Sequence, residues 1–349
     1  MNAKYVNSIP LNRVEQEFAR NGVNISRQVM ADWVIKCARR YFLPVYERMG
    51  EKLLEFPVNQ SDETPVDVIK DGRAAGSKSY MWVHRSGEFY TDCPIVLYEY
   101  QKTRNSGHPK AFYKDYKGIL MTDGLEQYHK IARELDGLVN ANCWAHARRS
   151  FADAVKAIGK NNDPAAKQST AYQALARIAA IYKLEGALKD LPAEERLRER
   201  QSSIKPLVDE YFAWAKERLA DTTCLPKGKT AEGLRYSVNQ EEYLRVFLTN
   251  GDVPIDNSAS ERSIRAFTIG RKNWMFVYSI KGAEASAVIY SITETARQND
   301  LNPYYYLKHL LEQLPLRMDV DGNISPSDVD DLLPWSDSLP DKCHKVHRC

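Results

Sequence analysis

With 349 residues, 27% of them charged and 43% hydrophobic, the chain has the composition of a soluble globular protein and the length for one large core or two to three smaller ones. A formal net charge of +3 is too small to announce a nucleic-acid partner by itself, so only local basic clusters can argue for one. No apolar run approaches the ~18 residues of a membrane span and the N-terminus has no signal-peptide pattern, so no membrane partner is expected and the cytoplasm is the expected compartment.

Residues 1–50 read as a helical, helix-turn-helix-like segment. Leu11, Val14 and Phe18 sit at helical spacing, and Gly22 to Asn24 break the pattern. Ser26 then caps a second helix that carries Val29, Trp33, Val34 and Cys37 inward. Arg27 stands at the exposed first turn, where a DNA-reading helix would use it, although a plain helical hairpin gives the same pattern.

From 51 to 150 the pattern changes to extended runs between short helices. Phe56, Val58, Gln60 and Asp62 alternate, and Thr64-Pro65 closes the run. Tyr80–Val83 and Ile95–Tyr100 read as antiparallel neighbours, and Gly107-His108-Pro109 opens a short helix. Gly118–Thr122 is a compact apolar strand that ends in Asp123-Gly124 and runs straight into a helix. A carboxylate at the carboxyl end of a buried strand is where open α/β sheets keep their chemistry. A further strand, Leu138–Asn140, leads into Cys143-Trp144-Ala145-His146 and the pair Arg148-Arg149.

Residues 151–250 are almost continuously helical in pattern, with stripes at Leu175, Ile178, Tyr182 and Leu188 and at Leu207, Tyr211 and Trp214. Their many charges read as a solvated outer face, with breaks at Pro192 and Thr222 to Lys229. Within 251–315, Asp256 and Asn257 form an N-cap for a helix that places Asn257, Glu261 and Arg265 on one face and Ile264 and Phe267 on another. Gly282–Ala296 is a small-residue-rich, closely packing helix. Residues 316–349 form a C-terminal tail. The six cysteines are scattered and contain no CxxC, which argues against a disulfide framework. Cys343, His344, His347 and Cys349 match no zinc spacing and read as a disordered end.

Asp62, Asp123 and Glu261 make one hypothesis of three residues. Gathered carboxylates repel and cost energy to desolvate unless a cation compensates them, and a pair of Mg²⁺ or Mn²⁺ ions ~3.5–4 Å apart would do so. Hard oxygen ligands suit Mg²⁺, whereas Zn²⁺ prefers imidazole and thiolate. Read singly, Asp62 can cap a turn, Asp123 can cap the following helix and Glu261 can pair with Arg265. His146 can act as an acid or base, or be a structural histidine beside Trp144. Arg148, Arg149, Arg262, Arg265, Arg271 and Lys272 are the cations placed to meet a DNA backbone. His108 and His129 read as surface residues.

Several motifs in order extend this reading: Asp62-Glu63-Thr64-Pro65, Cys143-Trp144-Ala145-His146 with Arg148-Arg149, Asp256-Asn257 to Glu261-Arg262, Gly270-Arg271-Lys272-Asn273-Trp274, Tyr290-Ser291-Ile292, Asn299, Pro303, and Leu332-Leu333-Pro334-Trp335. From about Leu11 to Trp335 the chain resembles the transposases of the insertion sequence 66 family. The resemblance implies an α/β, ribonuclease H-like core of the DDE type, a mixed sheet flanked by helices, with a large all-helical insertion before the last catalytic acid. It matches Asp62, Asp123 and Glu261 to the three catalytic, metal-holding acids and sets Glu63 aside, with Asn257, His146 and Trp144 in support. It differs at Ser258, where the family often has Asn, and at Ala266, where it often has Pro. Full-length relatives carry an N-terminal coiled-coil and zinc-binding region, which this chain is expected to lack.

The expected function is therefore metal-dependent cleavage of DNA at the ends of an insertion sequence and strand transfer into target DNA. Its partners would be transposon ends, target DNA, further copies of the chain and accessory proteins of the element. Two other readings remain: a ribonuclease H-like nuclease that hydrolyses without joining, and a non-catalytic DNA-binding remnant that uses the helices from Leu11 to Arg40.

Overall fold

A computed structural model describes residues 1–74, 76–159, 164–221 and 226–346. Cys224, His347, Cys349 and part of the expected break at Thr222 to Lys229 lie outside the described residues. Strands run in the order β1 (Val58–Val66), β2 (Val68–Lys70), β3 (Ser79–Ser86), β4 (Val96–Gln101), β5 (Gly118–Thr122), β6 (Leu138–Asn142) and β7 (Val277–Ser279). The chain divides into two compact units, Met1–Tyr116 with Ala259–Cys349, and Lys117–Ser258.

In the first unit β1, β3 and β4 form an antiparallel meander, with Asp62 opposite Val83 and Tyr80 opposite Gln101. The strand expected to stop at Thr64-Pro65 continues to Val66, with Pro65 opposite Tyr80. Proline lacks only the donor, and the Pro65 carbonyl still accepts, from Arg271. The small-residue helix Ile280–Gln298 covers β4, and its residues from Ala285 to Ala296 are buried without interruption. Its hydroxyls satisfy strand donors that no neighbouring strand of this unit takes. Ser291 Oγ accepts from Tyr98 N at 2.8 Å, and Thr295 Oγ1 from Val96 N at 3.0 Å.

The helix Ser258–Trp274 packs against this spine through Gly270, where an added Cβ would lie 2.2 Å from the Trp274 ring and 2.3 Å from Tyr290 Oη. Neither atom belongs to a flexible chain end. Gly270→Ala is therefore expected to lower unfolding free energy by about 1–3 kcal/mol, the usual cost of overpacking, read from urea denaturation.

The N-terminal hairpin forms as the sequence predicts, with helices Leu11–Arg20 and Arg27–Cys37 and Ser26 Oγ accepting from Val29 N. Its inward face needs correcting. Val34 points inward as expected, but Val29 and Trp33 are 42% and 52% exposed and Cys37 is half-buried, and Met30 and Ala38 join Val34 in their place. The cap fixes the phase of the helix, and i, i+4, i+8 from Met30 is the stripe that meets the core. The described part of the C-terminal tail is also ordered. Cys343 is fully buried, its carbonyl accepts from Asn302 N at 2.8 Å, and His344 bridges to Leu301.

In the second unit β5 and β6 pair in parallel, Gly118 with Leu138 through Thr122 with Asn142. The helix Trp144–Ile158 follows, and then a helical stack. Two charged residues expected on its outer face are interior. Arg200 is fully buried against Glu185 and the Phe247 carbonyl, and Arg196, 4% exposed, donates to the Gly251 carbonyl at 2.7 Å. A guanidinium carries enough donors to serve several carbonyls at once, which lets it replace apolar packing at helix junctions.

Strands paired in both senses and flanked by helices make this a mixed α/β fold, consistent with the ribonuclease H-like architecture. Among the described residues no helix is long and apolar enough to cross a membrane.

Candidate active site

Asp62 sits in the middle of β1 and is half-buried, with its Oδ1 accepting from the Glu63 backbone N at 2.8 Å. Side chains alternate along a strand, so Glu63 faces the other way. It is 8% exposed and its Oε1 lies 2.5 Å from Arg104, which commits that carboxylate to an ion pair. The polar residue before Asp62 is also fixed: Ser61 Oγ donates to the Val83 carbonyl at 3.0 Å and lies 3.1 Å from His84 Nδ1. His84 is fully buried, stacked on Phe112.

Glu261 lies in the first turn of the helix Ser258–Trp274 and is half-buried. Two side chains of the antiparallel sheet hold that turn. Arg85 Nη1 donates to the Ala259 carbonyl at 3.0 Å and Tyr98 Oη to the Ser263 carbonyl at 2.6 Å. Burial pushes the Arg85 guanidinium down to about 10. Further along the helix, Arg271 donates to Thr64 Oγ1 at 3.2 Å and to the Pro65 carbonyl. The helix that carries Glu261 is thus tied at both ends to the sheet that carries Asp62. Arg85→Ala is expected to cost about 1–3 kcal/mol, because it removes a buried charge-assisted hydrogen bond to a carbonyl that keeps only its bond from Ser263 Oγ and its place in the helix, and the loss appears as a lower denaturation midpoint.

In the second unit Asp123 follows β5. Its Oδ1 accepts from Leu125 N at 3.0 Å, a turn ahead of the helix Glu126–Glu134, and its carbonyl accepts from Tyr236 Oη at 3.2 Å. Gly124 has φ +86°, and a Cβ there would lie 2.4 Å from Tyr236 Oη and 2.9 Å from Asn142 Nδ2, so only glycine fits. Asn142 in turn holds Gln240 at 2.9 Å and His129 at 3.1 Å. His129, expected at the surface, is 2% exposed and stacked on Tyr243, because its ring packs inward on the helix that starts after Asp123. Burial first, then the nearby Cys143 and Asp123, raise the Tyr236 phenol far above its ordinary value and keep it a donor.

The Cys-Trp-Ala-His segment cradles the chain that leads to Glu261. Cys143 Sγ accepts from Asn257 N at 3.2 Å, and Trp144 N donates to the Ile255 carbonyl at 3.1 Å. The Trp144 Nε1 donates to the Leu244 carbonyl at 2.8 Å, and its ring is fully buried among Tyr211, Phe212 and Phe247. Burial pushes the Cys143 thiol up to about 12, so it acts here as a neutral hydrogen-bonding group. Asp256 Oδ1 accepts from Ser258 N at 3.0 Å, as the expected cap, while Asn257 is fully buried beside it. His146 is half-buried in the first turn after Trp144.

Of the predicted phosphate contacts, Arg148, Arg149, Arg265 and Lys272 are exposed. Arg262, also exposed, lies 3.3 Å from Glu88. Arg27 is exposed at its helix start, where Glu15 accepts from its backbone N at 2.9 Å. Asp62 and Glu261 thus fall in the first unit and Asp123 in the second. Among the described residues no group of three or more His, Cys, Asp or Glu side chains stands ready to hold a metal ion. Tyr236, Arg85 and Tyr98 carry no local sequence signal, since each acts on a residue remote along the chain.

A family model described as "Transposase IS66 family" matches residues 1–285, and one described as "IS66 C-terminal element" matches residues 291–335. Among curated relatives, the uncharacterized protein y4qI of Sinorhizobium fredii is 28% identical over 350 residues, covering 96% of this chain and 60% of its own length. The uncharacterized protein y4jD of the same organism is 27% identical over 345 residues, covering 96% of this chain and 64% of its own. The chain therefore spans less than two thirds of the relatives it matches.

Proposed function

The chain belongs to the IS66 transposase family, and from that premise we propose that it carries the catalytic core of a DNA transposase that cuts the ends of an insertion sequence and joins them to target DNA. Asp62, Asp123 and Glu261 are its acids, and Asp62 with its neighbour gives the reading its main support. The two adjacent carboxylates lie on opposite faces of the strand, Glu63 paired with Arg104 and Asp62 half-buried with its Oδ1 accepting from the Glu63 backbone N. All three offer hard oxygen donors, the donor set that suits Mg²⁺ or Mn²⁺. When bound, two such ions supply the positive charge and Lewis acidity that phosphodiester chemistry needs.

The residues themselves do the positioning. Arg85 and Tyr98 fix the turn that presents Glu261, and the Tyr236 phenol with Gly124 fixes the backbone at Asp123. Arg148, Arg149, Arg262, Arg265 and Lys272 neutralise phosphates and hold DNA in register, with no base preference of their own.

The test is a strand-transfer assay with pre-cut element-end oligonucleotides and a supercoiled plasmid in Mn²⁺. Joined products that require all three acids are expected. Nicking without joining assigns the chain to hydrolysis alone, and DNA binding without either product contradicts the catalytic reading.

A further inference from the structure

The helix Ser258–Trp274 ends in an outward ridge that the positioning roles above leave unexplained. Met275, Phe276 and Tyr278 are 72%, 49% and 59% exposed, and Ile69 on the strand paired with β7 is 55% exposed. Alternation along these strands turns Val68 and Val277 inward and Ile69 and Tyr278 outward. The ridge is rigidly built. Met275 adopts φ +60°, a left-handed conformation in which glycine or asparagine is the ordinary choice. Its N donates to the Arg271 carbonyl, and Val277 N donates to the Asp67 carbonyl at 2.8 Å. A chain that holds a methionine in this conformation and two aromatic rings in water is presenting them.

The charge around the ridge identifies the occupant. Between Arg262 and Ala283 the sequence contains no Asp or Glu, while Arg265, Lys272 and Lys281 are exposed along the same stretch. The Lys70 ammonium lies 4.7 Å from the centre of the Tyr278 ring. Asp67 and Glu284 are the exposed acids that flank it. Cations beside exposed aromatic rings match a ligand that carries phosphates and flat rings together. In a closed duplex the base faces are stacked and out of reach, whereas in an unpaired strand they are free.

We propose that Phe276 and Tyr278 form a stacking platform for unpaired bases of DNA, with Lys70 and Lys272 on the adjoining phosphates. This rests on the reading that the chain handles DNA, and adds that it grips a locally opened strand. Such a platform would hold nucleotides splayed apart beside a cut end.

The test uses the full chain, single-stranded and duplex oligonucleotides carrying 2-aminopurine, and the exposed double variant Phe276→Ala/Tyr278→Ala beside Lys272→Ala. The wild-type chain is expected to quench 2-aminopurine in the single strand. The aromatic variant should lose that quenching and about tenfold or more in single-strand affinity, with duplex affinity kept within about twofold. Lys272→Ala should weaken both forms and reduce the salt dependence. The inference is overturned if the aromatic variant binds and quenches like the wild type, including the case in which it alters only self-association by sedimentation and the ridge meets a second copy. A wild-type chain that binds neither form removes the DNA reading as well, whereas duplex binding with an indifferent ridge removes this inference alone.

Discussion

Asp123→Asn is expected to reduce Mn²⁺-dependent strand transfer by about a hundred- to a thousandfold while leaving the thermal midpoint in place. The size follows from what is lost, one charged oxygen donor that would help to hold the cations in place; removing one preorganised electrostatic group from an active site costs ~10²–10³ in rate even where others remain. Stability is spared because asparagine keeps the Oδ1 that accepts from Leu125 N, and Tyr236 binds the backbone rather than the side chain. Strand transfer and a melting curve on the same preparation check both halves. Full activity in the variant would take Asp123 out of the mechanism, and a lowered midpoint would make its role structural.

The second large effect is on folding. Trp144→Ala is expected to destabilise its unit by about 3–5 kcal/mol, the range for emptying a large aromatic side chain from a packed core. Trp144 is fully buried among Tyr211, Phe212 and Phe247, and its loss also orphans the Leu244 carbonyl. The more conservative Trp144→Phe fills most of the cavity and loses only the indole donor, which predicts a cost nearer ~1 kcal/mol. Urea denaturation of both variants separates packing from hydrogen bonding. The same cradle holds Ile255 and Asn257, so the alanine variant should also disturb the approach to Glu261 before the unit melts.

Local signals were legible where local physics decides the outcome. The extended run through Asp62, the Ser26 cap, the apolar run before Asp123 and the small-residue stripe of Ile280–Gln298 each depend on neighbours in sequence, and each appears in the fold. Errors came where a distant partner decides. Val29 and Trp33 fit an inward stripe as well as Met30 does, and only the core they would meet tells them apart. His129 and Arg200 look like surface residues until Asn142, Tyr243 and Glu185 are brought to them. Within the motifs, roles divide finely: in Gly270–Trp274 the glycine permits helix contact and Arg271 ties down β1, while Lys272 is exposed.

We propose that Asp62, Asp123 and Glu261 serve one set of cations. Three like charges gain from sharing a site only when a cation compensates them. Iron-directed cleavage tests this most directly. Fe²⁺ replaces Mg²⁺, and ascorbate with peroxide then breaks the backbone beside the bound ion. Breaks near residues 62, 123 and 261 are expected to rise together with Fe²⁺ and to be suppressed together by Mg²⁺. Breaks confined to one of these segments, or indifferent to Mg²⁺, would contradict it.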